Sequence, residues 1–256
     1  MAPIVIVGPG EIGSTFATGF LRLGHTVSPV LRGQSLVARA SELPPPTLVL
    51  VAVGEWELEP TLSALPELWR SQVVLIQNEL VPSIWEAHQL SPSISIVWFE
   101  KRAGQAPRVV LPSVNYGPHA DLLGGALGAI GLPCRKITDS ATLILELAKK
   151  NLYILTLNLA GLRSQGTAAH LRTEHAELFS TLARELITLE STLMLRPLPE
   201  AELILGLEAA IDADPEHSCQ GRTATRRLAR ALEQARARNL VLPTLEALGR
   251  EFLDLR

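Results

Sequence analysis

At 256 residues, with 47% hydrophobic and 19% charged residues, the chain is too apolar for a disordered protein and long enough for one large or two modest domains. A net charge of −3 supplies no bulk positive field, which argues against nucleic acid or an anionic membrane surface and for a small-molecule partner. Cys134 and Cys219, far apart and outside any CxxC pattern, give neither a disulfide framework nor a zinc site and fit a reducing, cytoplasmic compartment.

The first half alternates short apolar runs with helical patterns, the rhythm of a parallel sheet with helices on both faces. Strands are predicted at Ile4–Val7, Thr26–Leu31, Thr47–Val53, Val73–Gln77 and Ser93–Phe99. No basic segment precedes Ile4–Val7, and that run is too short for a signal peptide, so no export signal is expected. Between the first two strands, Glu11–Leu23 places Ile12, Phe16, Phe20 and Leu23 at helical spacing and stops at Gly24. Pro44-Pro45-Pro46 stiffens the lead into the third strand. A further strand at Arg108–Leu111, a turn at Tyr116-Gly117-Pro118 and an apolar helix through Leu122, Leu123, Leu127 and Ile130 follow, and Pro133–Thr138 closes the sheet.

From Asp139 the texture changes to long helical patterns at Ser140–Leu162, Glu174–Leu195, Pro199–Ile211 and Arg222–Arg238. The expected architecture is therefore α/β: a Rossmann-type doubly wound parallel sheet over residues 1–138 and an all-helical domain over 139–256. The most apolar stretch, Leu143 to Leu162, carries Glu146, Lys149, Lys150, Asn151 and Asn158, which rules it out as a bilayer span.

The first βα corner reads Gly8-Pro9-Gly10-Glu11-Ile12-Gly13, a GxGxxG in the strand-to-helix context that gives the pattern meaning. Gly8 permits the tight turn, Gly10 lets backbone approach a pyrophosphate, and Gly13 lets helix pack closely on strand. Amides at the helix N-terminus then face the anion. Ser14 and Thr15 are further candidates for phosphate contact, although small polar residues are common in a first turn. At the end of the second strand an NAD site wants an acid for the ribose hydroxyl, whereas this chain has Arg32-Gly33-Gln34-Ser35. A guanidinium with two small polar neighbours suits the 2′-phosphate of NADPH; the alternative is an ordinary exposed loop arginine.

Ile4–Gly13, Gly24-His25 through Arg32, Leu75-Ile76-Gln77-Asn78 and Glu146-Leu147-Ala148-Lys149-Lys150 together resemble the ketopantoate reductase family, NADPH-dependent enzymes that reduce a 2-oxo acid to a 2-hydroxy acid. The resemblance implies that Arg32 meets the 2′-phosphate, that Asn78 lies beside nicotinamide and substrate, and that Lys150 is the general acid. Asn158 falls where the family has the second of two helix asparagines. Lys150 and Asn158, at i and i+8, lie about 80° apart around a helix, so one cleft can receive both. An ammonium suits hydride delivery to a 2-oxo acid because it stabilises the developing alkoxide and donates the proton. Without the resemblance, Lys149-Lys150 reads as a solvated patch.

The chain departs from the family at three places. Ile154 replaces the first helix asparagine, Gly54-Glu55-Trp56 stands where a second phosphate lysine is common, and Gly221 through Arg227 offers Thr225 in place of a substrate glutamate. These losses motivate a rival reading, a nucleotide-binding protein without catalysis that senses cofactor or supports a partner; an oxidoreductase acting on an opine or an imine is a third. Arg222, Arg226, Arg227 and Arg230 are expected to form a solvated helix face. His170 and His175 are five apart, unlike a helical metal pair, and no metal site is expected. The expected partner is a small 2-oxo acid or related carbonyl compound, and a homodimer is the larger assembly considered.

Overall fold

Runs such as Ile4–Val7 and Leu48–Val51 offer no polar side chain to either face, the pattern of strands covered on both sides in a parallel sheet. In the computed structural model, which describes residues 2–253, both strands are wholly buried in a seven-stranded sheet. The strands are β1 (Ile4–Val7), β2 (Val27–Val30), β3 (Leu48–Val51), β4 (Val73–Leu75) and β5 (Ser93–Ile96), a ribbon pair β6 (Phe99–Glu100) and β7 (Arg108–Val109), then β8 (Ser113–Tyr116) and β9 (Cys134–Ile137). The sheet order is β2-β1-β3-β4-β5-β8-β9, with β1 to β5 parallel, β8 antiparallel to β5, and β9 parallel to β8.

The strand expected at Arg108–Leu111 is not part of this sheet. After Ile96 the chain leaves it, and β6 and β7 pair only with each other. The sheet position belongs instead to β8, whose SVNY sequence hides a strand behind polar residues. Inside the sheet their oxygens find partners: Ser95 donates to Asn115 Oδ1 at 2.7 Å, and Ser113 Oγ accepts from the Trp98 amide at 3.1 Å.

Helices α1 (Glu11–Arg22), α2 (Leu36–Glu42), α3 (Leu58–Ser63), α4 (Pro82–Glu86) and α5 (Ala120–Ala129) complete this unit. Phe16 and Phe20 of α1 and Leu123, Ala126 and Leu127 of α5 share one core with Ile4, Ile6, Leu48 and Leu50. The two helices touch at Gly19, where a Cβ would lie 2.1 Å from the Ala126 carbonyl oxygen.

The chain divides into two units, Met1–Glu146 and Leu147–Arg256. The break falls inside α6 (Ser140–Ser164), beyond the Asp139 expected from the change of texture. Arg135 of β9 pairs with Glu146 at 2.8 Å, which ties the start of α6 to the first unit. Asp139 begins that helix: its carboxylate accepts from the Thr142 amide at 2.7 Å, and this bond holds its pKa below the ordinary value.

The second unit comprises the rest of α6 with α7 (Ala168–Glu174), α8 (Ala176–Leu193), α9 (Glu200–Ala213), α10 (Ala224–Arg236) and α11 (Pro243–Phe252). The helix expected at Glu174–Leu195 is preceded by a separate α7, the chain turning at His175. Both carboxylate oxygens of Glu185 on α8 accept from the first amides of α11, Thr244 and Leu245, at 2.8 and 2.9 Å. Among the described residues no helix is long and apolar enough to cross a membrane.

Candidate functional site

The order β2-β1-β3 places the reversal of chain direction across the sheet between β1 and β3, and the loops leaving these strands flank one crevice. From β1 comes the GxGxxG turn. Gly8 has φ +80°, and a Cβ there would meet Val53 Cγ1 at 2.9 Å; only glycine meets both conditions. A Cβ on Gly13 would lie 2.8 Å from the Gly8 carbonyl oxygen and 3.1 Å from Ala52 Cβ, the close helix-on-strand packing that its position predicts. Gly10 differs: within 4 Å of its Cβ direction there is nothing. Two glycines thus fill their own space with protein, and the third opens outward at the start of α1, whose first-turn amides have no intrahelical acceptor.

Side chains around this turn are largely committed to the protein. Glu11 pairs with Lys101 at 3.3 Å, which neutralises the one acid in the first turn of α1. Ser14 and Thr15, candidates for phosphate, donate instead to the carbonyls of Pro9 at 3.0 Å and Glu11 at 2.8 Å. That leaves the first-turn amides of α1 as the donors beside Gly10.

Gly8, Pro9 and Gly10 open onto a cavity of about 780 Å³, within the size range of small-molecule and cofactor sites. Its far wall is the β2 end, Leu31 to Val37, and its side is the stretch after β3 from Ala52 to Thr61. At that far wall Arg32 forms an ion pair with Glu57, an acid 25 residues away that sequence reading does not connect to it. Gln34 and Ser35 are engaged locally: Gln34 Oε1 accepts from the Leu31 amide at 2.7 Å, and Ser35 caps α2 by accepting from Ala38 at 3.3 Å. Of the three side chains expected to hold a 2′-phosphate, two therefore stabilise the loop that presents the third. The open Gly10, the cavity and the guanidinium fit a nicotinamide dinucleotide.

Asn78 stands just past β4. Its side-chain amide donates to Glu55 Oε1 at 3.1 Å, while the neighbouring Gln77 donates to the carbonyls of Val51 and Val53 at 2.7 and 3.2 Å. Glu55 thus orients Asn78, a role that its sequence position alone does not suggest.

In the second unit the two adjacent lysines diverge. Lys149 pairs with Glu202 of α9 at 3.1 Å, whereas the Lys150 ammonium lies 5.6 Å from the centre of the Tyr153 ring. Tyr153 is buried and packs at 5.7 Å on the His217 ring, whose Nδ1 is 3.3 Å from Asp214 Oδ2. Next to Lys150 in the chain, buried Asn151, which no motif in the sequence singles out, donates to buried Glu190 at 3.0 Å.

Asn158 is 7% exposed, and its Oδ1 accepts from Arg227 Nη1 at 3.0 Å. Gly221 presses on the same amide so closely that a Cβ there would sit 1.8 Å from Oδ1. Arg227 is itself 8% exposed, which corrects its assignment to a solvated helix face: it turns inward from α10 and fastens that helix to α6 through Asn158.

A mostly parallel, Rossmann-type sheet followed by an all-helical unit is the class that these features define. No protein-family model and no curated protein matches the sequence. Solved structures do match along nearly its whole length. A ketopantoate reductase from Ralstonia eutropha is 17% identical over 98% of this chain and 97% of its own, with a TM-score of 0.69. A probable 2-dehydropantoate 2-reductase from Bacillus subtilis is 16% identical over 99% and 100%, with a TM-score of 0.71. A D-mandelate dehydrogenase solved with NADH is 16% identical over 98% of each chain, at 0.67. The chain shares the fold of the ketopantoate reductases, as the sequence resemblance anticipates.

Proposed function

We propose that the protein is a cytoplasmic reductase of a small 2-oxo acid or related carbonyl compound that uses NADPH. The observation that carries this reading is the first βα corner, where Gly10 lines the 780 Å³ cavity and, alone of the three glycines, has nothing within 4 Å of its Cβ direction. Kinship in fold with ketopantoate reductases and with a dehydrogenase solved with NADH supports it.

When bound, the nicotinamide supplies the hydride. The protein's task is to hold the dinucleotide by backbone amides at α1 and to stabilise charge on the carbonyl oxygen. Lys150 is assigned the second role. Its ammonium, held over Tyr153, neutralises the developing alkoxide and gives up the proton that completes the alcohol. Asn78, oriented by Glu55, is assigned to the carbonyl or carboxylate of the substrate. Asn158, fastened to Arg227, positions α6 rather than touching substrate.

The test is NADPH oxidation with a panel of 2-oxo acids, repeated with Lys150→Ala. Turnover that falls by about 10²- to 10⁴-fold in the variant, with nucleotide affinity retained, is the expected result. Full turnover by Lys150→Ala removes the lysine from its role.

A second reading has a specific observation behind it: Asn158 is occupied by Arg227, and Ile154 offers no replacement. A nucleotide-binding protein without turnover would carry such a site. Tight NADPH binding with no activity on any carbonyl compound, including pairs of amino acid and 2-oxo acid, selects it.

A further inference from the structure

Arg32 and Glu57 have more to say than that they form an ion pair. Among the described residues, Arg32 is the one cation and Glu57 the one anion lining the 780 Å³ cavity. Their side chains are 86% and 46% exposed, at its rim. The other polar side chains of the Arg32 loop, Gln34 and Ser35, accept from backbone amides. The one charged donor available to the group on the adenosine ribose, among the described residues lining the cavity, is therefore the Arg32 guanidinium, and that guanidinium already has a carboxylate.

The two nicotinamide dinucleotides differ at this point by about two negative charges. A 2′-phosphate must share or displace Glu57 on Arg32, and it does so facing the carboxylate across the guanidinium. With the phosphate about 6 Å from the carboxylate and water nearly bulk-like at such an exposed rim, the repulsion is worth about 1.4 kcal/mol, or about tenfold in affinity. A ribose 2′-hydroxyl meets no such opposition and can donate to Glu57, as it does to the acid of NAD sites.

We propose that Glu57 is a specificity-determining residue: its hold on Arg32 cancels most of the preference for a 2′-phosphate, so the protein takes NADH as well as NADPH. The proposal rests on the dinucleotide reading above and extends it to the choice between the two cofactors.

The experiment titrates NADPH and NADH separately into the full chain, following nucleotide fluorescence, for wild type, Glu57→Gln, Arg32→Gln and the double variant. Glu59→Gln serves as the charge control. Glu59 lies in the first turn of α3, which Glu57 precedes, does not line the cavity, and pairs with His88 at 2.9 Å. The quantity read is the ratio of the Kd for NADH to the Kd for NADPH.

For wild type the ratio is expected within about tenfold of one. Glu57→Gln raises it about tenfold, and the increase shrinks as salt is added, since exposed charges are screened. Arg32→Gln lowers the ratio, and the double variant gains nothing over it. A ratio unchanged by Glu57→Gln, an equal increase from Glu59→Gln, or a wild type that already rejects NADH by more than about 100-fold overturns the proposal while leaving the dinucleotide reading intact. Binding of neither nucleotide to wild type overturns both.

Discussion

Gly10 and Gly13 sit three residues apart, and adding carbon to each separates what the fold needs from what a ligand needs. A Cβ at Gly13 starts 2.8 Å from the Gly8 carbonyl oxygen, 3.1 Å from Ala52 Cβ and 3.2 Å from Ile6 Cγ2. The first of these is backbone in a turn already fixed by φ +80°, so it cannot give way cheaply. Gly13→Val adds two γ carbons to that overlap. Overpacking costs about 1–3 kcal/mol, and valine recovers only a few tenths of helix propensity over glycine, so a loss of about 2–3 kcal/mol is expected. At Gly10, with φ −72° and nothing within 4 Å, alanine costs less than about 1 kcal/mol, as a poorer N-cap. Its methyl nevertheless enters the space in which a pyrophosphate approaches the amides of α1, and nucleotide affinity is expected to fall at least about tenfold. All four tryptophans, Trp56, Trp69, Trp85 and Trp98, belong to the first unit, so urea unfolding followed by their fluorescence reads the stability of this unit. Wild-type stability in Gly13→Val, or wild-type nucleotide affinity in a folded Gly10→Ala, refutes the division of labour between the glycines.

The remaining predictions concern other parts of the chain. Lys150→Ala is expected to lose turnover while keeping nucleotide affinity, as measured by steady-state kinetics beside a binding titration. Burial pushes the Cys219 thiol up to about 11 from 9.0, so its folded pKa lies above its unfolded one. The neutral thiol's contribution to stability is therefore complete below about pH 9 and lost as pH rises from there towards about 11. Urea midpoints of wild type and Cys219→Ala measured across that range should converge as pH rises; parallel curves count against it. Asn151→Ala withdraws a donor from the buried Glu190 carboxylate and should cost about 1–3 kcal/mol in the second unit, read by circular dichroism during unfolding. Asn151→Asp should cost at least as much, because it sets two carboxyl groups against each other.

The corner that carries the functional reading is the most legible part of the sequence, because Gly8 and Gly13 answer to local demands of the fold. β1 and β3 were equally plain, since apolar runs without alternation belong inside a parallel sheet. β8 was hidden because Ser113 and Asn115 are buried through partners on β5 and in the segment after it, and such partners are visible only in three dimensions. The start of α2 is ambiguous in sequence, because its N-cap Ser35 carries a side-chain oxygen that suits a cap or a phosphate contact equally. α11 carried a readable signal, proline at its first position, that went unused. Gly19 stood in a helical pattern as one small residue among many, and its need appears only against Ala126.

The candidate site was legible in its residue types and illegible in its pairings. Arg32, Asn78 and Asn158 were singled out, and each has a charged partner from another element or loop: Glu57, Glu55 and Arg227. Those partners change what the residues can do. Glu57 shares the Arg32 guanidinium, and Arg227 joins α10 to α6 through the Asn158 amide. Lys150 kept its distinction from Lys149 through Tyr153, a residue with no chemical motif to announce it.

Calorimetric titration of the 256-residue chain with each reduced pyridine nucleotide bears most directly on the account. Saturable one-site binding of NADPH, with affinity on the order of micromolar and weakened at least about tenfold on replacement of Gly10 by alanine, is the predicted outcome. Heats no larger than dilution for both NADPH and NADH would contradict it, since the outward-facing glycine and its cavity would then have no ligand to serve.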